Sequence, residues 1–276
     1  MAEFELPEND VNKYQVQDGS RDEALLKTLN TDYQSEVAMG NLEGKSLWNK
    51  FGYNQDIDVG TEVIASWGGT FTPLTTATTI EIVSSSNDDI VTTGTGTQSI
   101  VVYGIDANRD EAIEVISMNG TTTVTTTSTW LGINRVAMFL CGSGQVNAGT
   151  IDITATTGGS TMAQMPIGGG VTQQCIFHVP QNYTFLTEFL FINVLNRGKN
   201  AELTVKLWVY SAVSNGKQEV FSVDIDTQTT GGSMQLNPTM PFPITEKTVM
   251  WMEATSDKAD VIVNARFSGI LESTLL

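Results

Sequence analysis

Asp106, Asn108 and Asp110 stand at alternate positions of YGIDANRDEAIEVISM, the spacing with which a calcium loop begins to wrap its ion. Such a loop needs Gly at its sixth position for a sharp turn and Glu at its twelfth to grip the ion with both oxygens; those positions hold Glu111 and Ser117. A turn between the strand-like runs SIVVYGI and AIEVISM is the simpler expectation, because short polar side chains satisfy nearby backbone groups. GNLEGKS, Gly40 to Ser46, approaches a phosphate-binding loop but has three residues between its glycines and follows a helical pattern instead of a strand. His178 is the single histidine, so any triad or imidazole-based metal site must use it. In CIFHVP it alternates with apolar neighbours and reads as a hydrogen-bonded strand residue. Ser143 in LCGSGQ lacks the flanking glycines of a nucleophile elbow and reads as a turn.

Paired carboxylates remain. Asp88 and Asp89 fall in a polar turn, and Asp224 and Asp226 share one face of a strand, a spacing that could serve a glycosidase pair or a cation. Solvated acidic residues account for both pairs equally well. Cys141 and Cys175 lie in apolar runs without metal-ligand spacing and read as small buried hydrophobes. The expectation is a chain with no catalytic residue, no metal and no cofactor. Asn119-Gly-Thr121 and Asn182-Tyr-Thr184 match a glycosylation pattern that carries no weight without a secretory signal.

These residues must be positioned by an almost wholly β scaffold. From Thr61 onward, strand-like runs such as TTIEIVSS, QSIVVYGI, GTIDITATT, AELTVKLWVY and DVIVNARFSGIL follow one another, separated by Gly, Asn, Asp, Ser or Pro. Connections too short for crossover helices imply antiparallel sheets, and this many strands implies a sandwich of jelly-roll type. Asn119-Gly120 is the strongest short hairpin signal. One helix is expected, near residues 21–39: Ser20 and Glu23 have capping-box spacing, Leu25, Leu29 and Tyr33 recur at helical period, and Gly40 can end it. The reading divides the chain into an arm, 1–60, and a β-sandwich, 61–276, itself divisible into two parts. Trp48, Phe51 and Tyr53 interrupt the Gly- and Asn-punctuated connection between helix and sandwich. Rings left in water forfeit roughly 2 kcal/mol each, so they should dock on the main domain or on a partner.

The net charge of −17 argues against gripping DNA or an anionic membrane, both of which require clustered Lys and Arg. Residues 1–60 hold 12 acidic and 5 basic side chains, and between Val115 and Thr187 only Arg135 and Asp152 are charged. The acidic N-terminus lacks a signal-peptide pattern and no apolar run of membrane-spanning length occurs, so synthesis in the cytosol and a soluble product are expected.

WNKFGYNQDIDVGTEVIASWGG, GTGTQSIVVYGIDANRDEAIEVISMNGTTTVTTT and VNAGTIDITA, spread over Trp48 to Asn196, resemble the virion structural proteins of tailed bacteriophages, especially those of marine bacteria. The resemblance implies a capsid decoration or cement protein on the capsid exterior, made in the host cytoplasm, partnered by the major capsid protein and by itself as a homotrimer. Leu25, Leu29, Tyr33, Trp48, Phe51 and Tyr53 are then the expected partner-binding residues. The competing expectation is a carbohydrate- or receptor-binding β-sandwich of the phage head or tail, with or without glycosidase activity, which exposed aromatics beside Asp or Asn on a concave face would favour.

Overall fold

Eight strand positions, taken in chain order, form two facing sheets in the pattern first–eighth–third–sixth and second–seventh–fourth–fifth. This is the jelly-roll connectivity. The computed structural model describes residues 33–196, 201–226, 232–236 and 242–275. One sheet runs β1 (Lys45–Ile57), β17 (Val261–Ser273), β11 (Tyr183–Asn196) and β14 (Gly232–Leu236), with β15 (Phe242–Ile244) also on β11. The other runs β10 (Ile176–His178), β16 (Thr248–Ser256), β12 (Glu202–Ser211) and β13 (Gly216–Asp226). Every named strand pair is antiparallel. Alternation along β17, where Val263, Ala265 and Phe267 point inward, sends one face of the first sheet onto the second. Phe177 touches Trp48 and Phe185 with centroids 5.0 Å apart, and Phe185 meets Phe267 edge-on at 6.2 Å. The far face of the second sheet is covered by the segment that follows β2 (Gly60–Val63): Phe71 packs on Trp251.

Between β2 and β10 the chain builds a second sandwich. Its sheets are β6 (Val124–Thr125), β3 (Ile80–Ser84), β8 (Ile151–Ala155) and β9 (Thr161–Met165), and β5 (Glu111–Ser117), β4 (Thr97–Ile105) and β7 (Gly132–Cys141). Ile, Val and Met side chains surround a fully buried Trp130 in its core. Its loops converge on Asp89, which is completely buried and accepts bonds from Ser84 Oγ at 2.6 Å and from the amides of Thr97, Ala148 and Gly149 at 2.7 to 2.8 Å. Four donors neutralise the cost of burying a carboxylate and fix three separate loops at once. Gly96 is required there, since a Cβ would lie 2.2 Å from the carboxylate.

Several expectations need correction. The boundary at residue 60 fails because β1 pairs with β17 from Lys45 to Ile57; it is an edge strand of the jelly roll, not part of an arm. Asn119-Gly120 makes a turn, with Gly120 at φ 59°, but it does not join a hairpin: β5 before it and β6 after it belong to different sheets. Asp89 is a buried organiser and not a solvated acid. Of the expected helix, α1 (Tyr33–Ala38) is described, and Gly40, at φ 72°, ends it with amide bonds from Gly40 to Val37 and from Asn41 to Glu36. Leu25 and Leu29 lie outside the described residues.

Candidate binding site along β1

β1 carries its side chains to two faces. Trp48, Lys50, Gly52 and Asn54 turn inward and Asn49, Phe51 and Tyr53 outward, an alternation that the burial of the even positions makes visible. Gly52 allows close approach of the chain, since a Cβ would lie 2.1 Å from the Ile64 carbonyl oxygen. Lys50 is buried where the two sandwiches meet and donates to the Asn134 carbonyl. The Asn134 side chain in turn bridges to β10, donating to the His178 carbonyl at 2.9 Å and accepting from the His178 amide at 2.7 Å. Gln174 adds a bond to the Ile133 carbonyl at 2.9 Å. A polar seam, not an apolar one, thus joins the inserted unit to the jelly roll.

Burial dominates the titration of this seam. It lowers Lys50 to about 7, with the Arg135 charge acting in the same direction, and lowers His178 to about 3, with Lys50 and Arg109 contributing. It pushes the Cys175 thiol up to about 12. His178 is therefore a neutral, enclosed ring, as a structural strand histidine should be; a Cβ on Gly132 would overlap its imidazole.

The other chemical candidates take structural roles. Asp106 closes its own turn, accepting from the amides of Asn108 at 2.8 Å and Asp110 at 3.0 Å. Asp224 and Asp226 are exposed on edge strand β13, and Asp224 accepts from Thr204 at 2.7 Å. Cys141 and Cys175 are free thiols. Among the described residues, no three His, Cys, Asp or Glu side chains gather as a metal site would require.

Among the described residues, clefts gather along β1. One, about 630 Å³, lies where β1 faces β4, β5 and β7 and includes Trp48, Asn49, Tyr103, Glu111, Ile113 and Arg135. A second, about 610 Å³, continues from Trp48 and Asn49 across to Glu188, Phe189 and Arg266. A third hollow, about 480 Å³, lies over Phe51, Phe189, Phe191 and Arg266. Asn49 lines all three, its side-chain oxygen accepting from Arg266 Nε at 2.6 Å.

The expected partner-binding residues are thus separated by the fold. Tyr33 accepts from Lys45 at 2.9 Å and lies under its ammonium group. Trp48 packs against the core of its own sandwich while one side lines the clefts. Phe51 and Tyr53 are half-buried on the outward face of β1. The sequence does not single out Tyr103, Phe189 and Phe191, and it marks Glu111 only as a misfit in a calcium loop and Arg135 only as the single base in a long uncharged stretch.

No protein-family model matches the chain, and the comparison with curated proteins gives no match. Among solved structures, the VP2 subviral particle of infectious bursal disease virus is similar at 10% identity, covering 93% of this chain and 78% of that chain, with a TM-score of 0.24. The Gt strain of the same virus gives 10% identity, 88% and 78% coverage, and a TM-score of 0.22. Scores this low carry no argument, and the reading of function rests on the chain's own geometry.

Proposed function

We propose that the chain is a structural protein of a tailed-bacteriophage particle, a decoration or cement protein that assembles as a homotrimer on the capsid exterior and clamps the major capsid protein. One observation carries the reading. Phe51, Arg266, Phe191 and Gln235 form a single cross-strand row on the outer face of the first sheet, through the pairings Phe51–Arg266, Arg266–Phe191 and Phe191–Gln235. Phe189 lies beside that row with the Arg266 guanidinium 5.7 Å from its ring centroid. Three half-buried phenylalanine rings around one arginine have the composition of an interface centre, where aromatic and Arg side chains supply most of the binding energy. The jelly roll supports the reading by fold-level analogy, since coat proteins of viruses use it, as do lectins. Among the described residues, the edge strands β1, β13 and β5 leave open ladders that association would cover.

The test uses shells of the encoding phage that lack this protein. The full chain should sediment with them, and the Phe51→Ser, Phe191→Ser double variant should remain in the supernatant while keeping its β circular-dichroism spectrum. Attachment of the double variant at full strength contradicts the assigned face. An arm deletion must stop before Lys45, because removing residues 1–60 would strip β1 from the jelly roll. Light scattering should give three times the chain mass; a monomer at high concentration contradicts the trimer.

A further inference from the structure

We infer that the cleft between β1 and the β5-β4-β7 sheet is a carbohydrate-binding site, which receives one or two sugar rings of an oligosaccharide between Trp48 and Tyr103 and binds them without cleaving them. The inference goes beyond the structural role and uses the margin of β1 that faces β4, β5 and β7.

The chemistry of the walls points to a sugar. A pyranose presents an apolar C–H face and a rim of hydroxyls, so its site needs aromatic surface beside planar polar groups that can both donate and accept. Trp48 and Tyr103 supply the surface, with the negative ring faces that attract polarised C–H bonds. Asn49, Glu111 and Arg135 supply the rim. Tyr103 is flanked in register by Ile113 on β5 and Arg135 on β7, so the ring, the apolar side chain and the guanidinium emerge together on one face of the sheet.

The polar groups are also uncommitted. Among the described residues, the Tyr103 hydroxyl, the Glu111 carboxylate, the Arg135 guanidinium and the Asn49 amide nitrogen make no side-chain hydrogen bond or ion pair. A cation, an anion, a phenol and an amide with a free nitrogen around one cleft can bond several hydroxyls in different orientations. Partial desolvation raises the Glu111 carboxyl from its ordinary value, although the side chain remains exposed. A cleft of about 630 Å³ has the volume of a small-molecule site. An apolar protein segment would bury these polar groups unpaired, whereas the hydroxyls of a sugar satisfy them.

Cleavage is not assigned. Glycoside hydrolysis needs two carboxyl groups roughly 5 to 10 Å apart across the bond, and Glu111 is the single carboxylate lining this cleft among the described residues.

The test is a titration of intrinsic tryptophan fluorescence in the full chain with maltohexaose, chitohexaose, cellohexaose and hexagalacturonate. At least one should bind in the micromolar to low-millimolar range and perturb the emission. Tyr103→Ala and Arg135→Ala should each weaken that binding about tenfold or more, and Glu111→Gln should alter its pH dependence. Phe191→Ser, on the other face, should leave it unchanged, which separates this site from the capsid-docking face. Thermal melts of the variants near the parent value exclude loss of folding as the cause. Binding of none of the four sugars, or binding indifferent to Tyr103→Ala, overturns the inference. So does binding of a synthetic peptide of residues 1–32 in the same cleft without any sugar response. Release of reducing ends overturns the statement that the site does not cleave.

Discussion

The jelly roll and the inserted sandwich are both two-sheet β units, yet different physics holds each in register. The jelly roll is centred on rings, Trp48, Phe177, Phe185 and Phe267 in sequential contact, and is closed by pairing of β1 with β17 near the two ends of the chain. The inserted unit has no phenylalanine in its core; it combines aliphatic packing with a buried carboxylate that ties its loops. Apolar packing tolerates volume-conserving change, whereas a hub of charge-assisted bonds tolerates almost none. Mutational sensitivity should therefore concentrate at a loop residue in one unit and spread across the core in the other.

The sharpest break is Asp89→Ala. It removes the acceptor for three buried amides and a hydroxyl, each worth about 1 to 3 kcal/mol when left unsatisfied, so the inserted unit should lose about 4 kcal/mol or more. Hydrogen exchange should show strands β3 to β9 opening while β11 and β17 stay protected; equal opening of both units would erase the distinction. Phe267→Ala should cost about 3 to 4 kcal/mol through cavity formation, with the opposite pattern of exchange.

The seam between the units gives a third, smaller effect that is read by pH. Lys50 titrates at about 7 in the folded chain against 10.5 unfolded, so between these values the unfolded state holds more protons and stability climbs with pH. His178, at about 3 against 6.5, adds a climb over that lower window. Cys175, at about 12 against 9.0, acts in the opposite sense above pH 9. Urea unfolding should therefore show a gain of about 2 kcal/mol from pH 7 to 9, and Lys50→Met should abolish it. A flat profile in the parent protein would contradict the burial of a lysine whose partner is a carbonyl and not a carboxylate. Smallest of all, Asp224→Asn on the exposed face of β13 should shift stability by under about 0.5 kcal/mol.

The sequence disclosed what depends on apolar alternation. β3, IEIVS, and β8, IDITA, alternate buried and half-buried positions in the way their composition announces. β1 was hidden because its inward positions include Lys50, Gly52 and Asn54, whose burial is made acceptable by the Asn134 carbonyl, the close approach of Ile64 and the Val63 carbonyl. Without apolar period two, the strand looked like a connection with stray rings. Asp89 was hidden for a related reason: SSSNDD has turn composition, and the distant amides of Ala148 and Gly149, which help Ser84 and Thr97 enclose the carboxylate, leave no local sign. Trp48 was legible as a ring needing a surface. Its companions Tyr103, Glu111 and Arg135 were not, because they meet only once β4 is known to lie between β5 and β7.

The most direct measurement of the proposed function is an electron-microscopy map of the particle proposed to carry the chain. The account predicts trimers of this chain on the capsid exterior, with Phe51, Phe189 and Phe191 covered by a neighbouring subunit and the cleft at Tyr103 open to solvent. A particle without the chain, or one in which that phenylalanine face points into water, would contradict it.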